Sequence, residues 1–428
     1  IDSMLHEIEP EQHGPLGPEM AAAVSTCVHC GFCLAACPTY KVLGQEADSP
    51  RGRIVLMKEV LEGSLPLETA LPHIDPCLGC LACEPACPSG VPYRDLISPF
   101  RANAESQRRR TLGDKLKRLL TRMTLPYPSR FRLAARTGRF AKPFAGWLPG
   151  NLRVMLGLLP DRLPARQTWD PIYPAAGTKR GRVALLVGCA QSVLEPDINT
   201  ATIEVLTKNG IEVVVPQNQA CCGALSWHVG DLTHARSFAR KNLAAFPDDV
   251  DAIVTNAAGC GSGMHEYPLI LKGTDSETAA RAFSEKVCDV SVYLVGLGEL
   301  QPFPDRGRRI RIAYHDACHL SNAQGVRTQP RELLRSVPGV ELCEISDPHL
   351  CCGSAGTYNI DQPEIATALG REKVGNVIST AADLVATGNI GCMTQLATHL
   401  DQQGSSIRVR HTMQVLRDAY AAADTLSL

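Results

Sequence analysis

IEVVVPQNQACCG (residues 211–223) and VELCEISDPHLCCG (residues 340–353) share one plan: a short apolar run, a polar loop, then two adjacent cysteines and a glycine. A disulfide within either pair is a poor explanation. Neighbouring Cα atoms lie about 3.8 Å apart across a trans peptide, whereas ordinary disulfides span roughly 4.4–6.8 Å. The surroundings repeat as well. RVALLVGCAQS, carrying Cys189, precedes the first pair, and AIVTNAAGCGSG, carrying Cys260, follows it. IRIAYHDACHL, with Cys318, and LVATGNIGCMTQL, with Cys392, flank the second pair in the same order. Between the leading cysteine and its pair lie 31 residues in one copy and 32 in the other. This is an internal duplication. Strands alternating with helical stretches predict a parallel, doubly wound sheet in each copy.

In such sheets ligands sit beyond the carboxyl ends of the strands, where the sequence places all four cysteines of each copy. Helix N-termini point to the same end, and their dipoles favour thiolate over thiol. Side chains of consecutive strand residues face opposite ways. Two vicinal thiolates therefore reach one centre only where the chain turns, and Gly223 and Gly353 permit that turn. The expected sets are Cys189, Cys221, Cys222 and Cys260 at the first site, and Cys318, Cys351, Cys352 and Cys392 at the second. An iron–sulfur cluster at one or both suits them. Zinc in a four-thiolate site is the alternative.

The chain has 428 residues, 18 cysteines and a net charge of −1. Near-neutrality and few aromatics argue against a nucleic-acid binder. The start, IDSMLHEIEPEQHG, is polar and acidic, unlike a secretory signal, and Met4 reads as the natural first residue. No apolar run approaches the ~18–20 residues of a spanning helix. Cysteine-rich chains in reducing compartments bind metals or do redox chemistry.

Towards the N-terminus, CVHCGFCLAACP and CLGCLACEPACP each follow C-x2-C-x2-C-x3-C-P, the bacterial ferredoxin run for [4Fe–4S] clusters. Three thiolates of each tight loop cap one cluster, and the fourth, before Pro38 or Pro88, turns to the other. Cluster one is expected on Cys27, Cys30, Cys33 and Cys87, and cluster two on Cys77, Cys80, Cys83 and Cys37. Between the runs, Ser49 as cap and Pro50 at the first position open a helix. Ile54, Leu56, Met57, Val60 and Leu61 give it an apolar stripe, so this module is helical. Arg51 and Arg53 either place positive charge near a cluster or are a solvated helix start. Only Cys288 and Cys343 remain, read as ordinary core residues.

From Arg101 onward cations such as Arg108, Arg109, Arg110, Lys117, Arg118 and Arg122 meet few acids and alternate with Leu116, Leu119, Leu120, Phe140, Trp147 and Leu148. PYPSRF (126–131) and LPGNL (148–152) break the segment. A basic amphipathic stretch docks on a partner or its own chain, or lies on an anionic membrane. The first role is expected ahead of the second. The fold class is thus mixed: a helical two-[4Fe–4S] domain (1–100), a basic helical linker (101–180), and two duplicated α/β CCG domains (181–305 and 306–428).

These modules resemble known families. Cys27–Cys87 is similar to two-cluster ferredoxin modules. The remainder is similar to the cysteine-rich family with two CCG motifs found in heterodisulfide reductases, anaerobic glycerol-3-phosphate dehydrogenase and lactate-utilisation proteins. The module order, CVHCGFCLAACPTY, PRGRI, CCGSAGTY and TGNIGC most closely resemble iron–sulfur subunits of bacterial glycolate oxidase (glycolate dehydrogenase). The reductases end each half in C-x2-C. Here Gly261, Ser262 and Gly263 follow Cys260, and Met393, Thr394 and Gln395 follow Cys392. Each half lacks one ligand, so their non-cubane cluster and disulfide chemistry are not carried over.

The resemblance implies an electron-transfer subunit without its own flavin, since no G-x-G-x-x-G opens a nucleotide-binding unit. Its partners would be an FAD-binding catalytic subunit and a second flavoprotein-like subunit. Its acceptor would be quinone, and its place the cytoplasmic, inner face of the cell membrane. The alternative is catalysis at the second CCG site on a disulfide or quinone, or service to a lactate or glycerol-3-phosphate dehydrogenase. Catalytic residues are not assigned. His228, His315 and His319 read as helix-start packing, with proton donation or ligand replacement as the other possibility.

Overall fold

The computed structural model describes residues 6–421 apart from 148–152, 154, 155, 158, 161, 306 and 308. Met4, Leu148 and the LPGNL break lie outside the described residues. Among the described residues no strand precedes Ile172. The N-terminal module is helical, as its stripe requires. The Ser49 hydroxyl accepts the Gly52 N–H at 2.9 Å, and Pro50 begins the helix Pro50–Leu61. That helix buries Ile54, Met57 and Leu61, with Leu56 and Val60 at the margin. Against it pack the helices Gly17–Ser25, Leu67–Ile74 and Arg94–Glu105.

The last of these crosses the division expected at residues 100 and 101. Phe100 and Ala104 are buried in the same core as Met20 and Leu96, so the module runs to the helix end. Beyond it come the helices Leu112–Thr124 and Pro128–Ala141, separated at PYPSRF where Pro128 starts the second.

Two sheets follow. The first holds β1 (Ile172–Tyr173), β2 (Gly181–Leu186), β3 (Ile211–Val214), β4 (Ala252–Thr255) and β5 (Val287–Asp289), in the spatial order β1-β3-β2-β4-β5. The second holds β6 (Ile310–Tyr314), β7 (Val340–Glu344), β8 (Leu384–Thr387) and β9 (Arg408–His411), in the order β7-β6-β8-β9. Only β1 is antiparallel, an edge ribbon inside the segment expected to be a helical linker. Without it the two sheets have one topology. Val183 pairs Val213 on one side and Ala252 on the other, as Ile312 pairs Leu342 and Leu384. Central strands β2, β4 and β8 are apolar over their buried length except for Thr255 and Thr387 at the carboxyl ends of β4 and β8, because helices cover both faces. The chain reverses direction of growth between β2 and β4, and between β6 and β8. That is the switch point where such sheets open a crevice.

The halves are interlocked. The helix after β5, Val290–Gly296, packs on Gln329–Arg335 of the second half. The helix after β9, Thr412–Tyr420, packs on Asp197–Lys208 of the first. Met413 and Leu416 thereby share a core with Val205, Leu206, Val290 and Leu333. An ion pair between Arg417 and Asp197, at 2.5 Å, seals the exchange.

Each cysteine pair turns on its glycine. Gly223 has φ +83° and Gly353 φ +85°, and a Cβ on Gly353 would lie 2.6 Å from the Ala366 carbonyl oxygen. Gly353→Ala should therefore destabilise the anaerobic full chain by at least about 1 kcal/mol, the cost of a left-handed non-glycine residue. Gly375→Ala, in open space inside the helix Pro363–Ile378, should be neutral or stabilise by up to about 1 kcal/mol. Thermal unfolding of both variants checks the contrast.

Candidate metal centres

The two ferredoxin-type loops have the same backbone form. His29 (φ 54°) and Gly31 (φ 84°) bracket Cys30, and Gly79 (φ 63°) and Leu81 (φ 58°) bracket Cys80. Left-handed residues on both sides of a cysteine turn successive N–H groups into one hollow, a nest for an anionic group. His29 and Leu81 are not glycines, and such strain concentrates at functional sites. The Gly79 N–H points at Cys77 Sγ at 3.4 Å.

Each loop closes over a small cavity. One is lined by Cys27, Cys30, Cys33 and Cys87, and also by Cys83, which lines both cavities. The other is lined by Cys37, Cys77, Cys80 and Cys83. The fourth cysteine of each run thus faces the cavity of the other run. Cys30 is exposed at the first cavity, while Cys77, Cys80 and Cys83 are buried at the second.

Burial pushes the Cys33 thiol up to about 11 and lifts Cys80 and Cys83 well above the ordinary value. Cys77 goes the other way: against its own burial, Arg53, Arg101 and the Gly79 N–H bring it below the ordinary thiol. Arg53 is 1 % exposed. Its Nη1 lies 2.9 Å from Thr39 Oγ1 and 3.8 Å from Cys37 Sγ, and its Nε donates to the His73 carbonyl at 2.6 Å. It is therefore not a solvated helix start. Arg51, by contrast, is partly exposed and bonds the His29 carbonyl and Glu46.

In the repeats, Cys189 Sγ lies 3.4 Å from Cys221 Sγ, and Cys351 Sγ lies 4.0 Å from Cys318 Sγ. Cys222 and Cys352 contact Cys260 and Cys392. All eight expected residues therefore meet in two sets. One expectation needs correction: Cys260 and Cys392 sit in the first turns of helices Ala258–His265 and Ile390–Gln402, not at strand ends. Within each pair the second cysteine is held low and the first is pushed up. Donation from Cys221 and Cys260 holds Cys222 well below the ordinary thiol, as Cys351 and Cys392 hold Cys352. The remaining thiols are pushed well up at Cys221, Cys260, Cys351 and Cys392. Several thiolates together in a buried site need a cation among them, so the residues present fit metal centres. Cys288 and Cys343 stand apart on β5 and β7, half-buried rather than in the core.

The sites are neighbours. Cys80 and Cys351 share one buried cluster with Leu78, Leu350 and Tyr358, and Cys318 packs against it. Sequence reasoning singled out neither Arg101 nor Lys373. Arg101 joins the second cysteine loop to the first repeat, donating to the carbonyls of Ile74, Cys77 and His228. Lys373 is wholly buried, with Nζ 2.7 Å from the Asp347 carbonyl. Of the three histidines, His228 ends a helix and meets the His319 ring edge-on at 5.1 Å, His319 Nε2 lies 3.1 Å from the Gly79 carbonyl, and His315 stands at the end of β6. Packing at a helix start describes none but His319.

Comparison with known proteins agrees with this division. The 4Fe-4S dicluster domain family matches residues 23–91, and the cysteine-rich domain family matches 183–265 and 312–397. A "Probable glycolate oxidase iron-sulfur subunit" of Bacillus subtilis is 38% identical over 414 residues, 92% of this chain and 93% of that protein. The "Glycolate oxidase iron-sulfur subunit" of Escherichia coli is 36% identical over 408 residues, 94% of this chain and 95% of that protein. "Lactate utilization protein A" of Oceanobacillus iheyensis is 30% identical over 238 residues, 55% of this chain and 96% of that protein.

Glu266, buried at the end of the helix that bears Cys260, accepts a hydrogen bond from Trp227 Nε1. Burial nonetheless pushes its carboxyl up from 4.5 to about 7. A folded-state pKa above the unfolded one favours folding below the unfolded value, and that contribution is lost as pH rises through about 7. Glu266→Gln keeps an acceptor for Trp227 without the charge. It should exceed the native chain in stability above pH 7.5, by up to about 3 kcal/mol, and match it near pH 4. Denaturant unfolding at both pH values checks this.

Proposed function

The chain belongs to the family of glycolate oxidase iron–sulfur subunits, and on that premise we propose that it carries electrons within a glycolate (2-hydroxy acid) dehydrogenase complex. Its source would be the flavin of an FAD-binding catalytic subunit, accompanied by a second flavoprotein-like subunit. Its acceptor would be quinone at the inner face of the cell membrane. The observation that carries the reading is the succession of thiol sets, from exposed Cys30 through the cavity at Cys80 to the shared cluster with Cys318 and Cys351.

The ligands in this reading are Cys27, Cys30, Cys33 and Cys87 for one [4Fe–4S] cluster, and Cys77, Cys80, Cys83 and Cys37 for the other. The repeats would use Cys189, Cys221, Cys222 and Cys260, and Cys318, Cys351, Cys352 and Cys392. Clusters bound there supply one-electron carriers. The chain's own part is to bury the thiolates, aim N–H groups at them, and set charge beside them with Arg53 and Arg101. The surface near Cys30 suits an incoming partner, since Phe32 is 67% exposed and Val42, Leu43 and Val55 lie open nearby in sequence.

A second apolar face supports subunit docking. The helix Leu112–Thr124 turns Lys117, Arg118 and Arg122 inward to Asp361, Glu105 and Asp231. These cations, read from the sequence as short of acids, are paired across long stretches of chain. Arg108 likewise pairs with Asp75, and Arg110 with Glu105. Leu112, Leu116, Leu119, Leu120 and Met123 are left exposed. Such an outward stripe fits another subunit better than an anionic surface, which would need the cations outward. No helix among the described residues is long and apolar enough to cross a membrane.

In the assembled complex, Cys352→Ser should leave flavin reduction by glycolate intact and cut quinone reduction at least tenfold, while Cys343→Ser should leave both unchanged. Stopped-flow flavin absorbance and quinone assays separate the steps. Full quinone reduction by Cys352→Ser would remove the second repeat from the route. Turnover of quinone or a disulfide by the isolated chain with a chemical reductant would make it an enzyme in its own right. Leu116→Glu with Leu120→Glu should break co-purification with the partner subunits without changing iron content. Intact assembly of that variant would return the stripe to another role.

A further inference from the structure

The second to fourth positions of YHDACHL carry the chain from β6 towards Cys318, and the residue that starts this passage, His315, is 1 % exposed. Its backbone N–H donates to the Ala386 carbonyl at 2.9 Å, so pairing with β8 fixes where its side chain can go. The ring lies among the second repeat's cysteines. A ring nitrogen of His315, Cys352 Sγ and Cys392 Sγ all lie within 4.8 Å of one another. Neither Nδ1 nor Nε2 has a partner in ordinary hydrogen-bond geometry, and the polar group the ring faces is the Cys352 thiol.

That is an expensive arrangement for packing alone. Each buried polar atom left unpaired costs about 1–3 kcal/mol. Its extent sets His315 apart: His411 bonds the Asn256 carbonyl and the Met413 N–H, while His319 and His399 each keep one bond, to the Gly79 carbonyl and Gln395, and leave only Nδ1 unpaired. The first repeat offers nothing similar, because the residue after its first central strand is Val187. An imidazole with a free nitrogen aimed at thiolates is a metal ligand in search of its ion.

We propose that His315 is a nitrogen ligand of the metal centre in the second repeat, joining Cys352 and Cys392 there. The inference rests on the reading that this repeat holds an iron–sulfur cluster. It makes the two repeats chemically unequal, one thiolate-only and one mixed. It also returns to the second half one of the donors that both halves lack relative to reductases with a terminal C-x2-C. A neutral imidazole in place of a thiolate raises the reduction potential of a cluster, which suits the end of a route better than its middle.

The test uses the full chain purified anaerobically, with metal analysis and pulsed EPR of the reduced protein. The native chain should show a strongly coupled nitrogen on one cluster signal. His315→Ala should lose that coupling and part of the iron, and His319→Gln should keep the coupling. His315→Cys should recover the iron without the coupling, at a lower potential; it also shows that the site still folds. A native cluster signal without coupled nitrogen, or a coupling that survives His315→Ala, overturns the proposal alone. A native second repeat that carries no metal, or zinc with sulfur-only coordination by X-ray absorption, overturns the reading beneath it as well.

Discussion

Five carbonyls around one cysteine loop, drawn to donors from distant parts of the chain, set the architecture. The loop that carries Cys77 and Cys80 must bend its backbone into a nest, so its own N–H groups pair few of its carbonyls, the Cys77 N–H on Ile74 being one that does. Buried carbonyls still need donors. They come from other parts of the chain: Tyr358 to Pro76, His319 to Gly79, Asn322 to Cys80, and Arg101 to Ile74 and Cys77. Three of the four donors belong to the second repeat. The cluster loop is therefore docked on that repeat by the same bonds that let it curve. Removing Tyr358 or Asn322 would leave a buried carbonyl orphaned as well as loosen the dock.

The same constraint explains why the two repeats are alike in topology yet unlike in surroundings. Both place four cysteines at a switch point, and both exchange a terminal helix with the other. Only the second presents its crevice to the ferredoxin-type module. Gly230, with φ +82°, lets the first repeat press against the Arg101 backbone, where a Cβ would come within 2.5 Å of the Arg101 carbonyl oxygen. That contact fixes position without bringing Cys189 or Cys260 to the cysteine loop. Duplication supplied two equal scaffolds, and one docking surface made them different.

Much of this can be read from residues alone because the governing constraints are local. Three-residue steps between cysteines and a following proline determine which thiols face which cavity, and the two cavities are lined as that spacing requires. The repeated order of apolar runs and cysteines determines two parallel sheets. Other features depend on distant partners and leave no local mark. β1, β5 and β9 are two to four residues long, too short for periodicity, and exist because a neighbouring strand offers an edge. Lys117 finds Asp361 only after folding. Arg53 looks like a helix-start cation until Cys37 and Cys77 close over it. His315 lies in the conspicuous YHDACHL, but its role turns on which way β6 faces Cys392, 77 positions later in the numbering.

Charge placement adds an independent argument about direction. Buried thiolates repel electrons already delivered and need cations to hold them. Arg51 stands by the loop with exposed Cys30. Arg53 and Arg101 act on Cys77, and near Cys351 and Cys352 stands the wholly buried Lys373, whose ammonium burial pulls below its ordinary value while Asp347 and then the two cysteines oppose that pull. At the first repeat the dominant influences on Cys221, Cys222 and Cys260 are one another and burial, with no cation among them. Positive charge thus accompanies three of the four thiol sets, and they are the three that touch in succession. A cation beside a redox centre stabilises its reduced, more negative state. The series supports a route that ends at the second repeat, with the first serving as the scaffold that Arg101 ties to it.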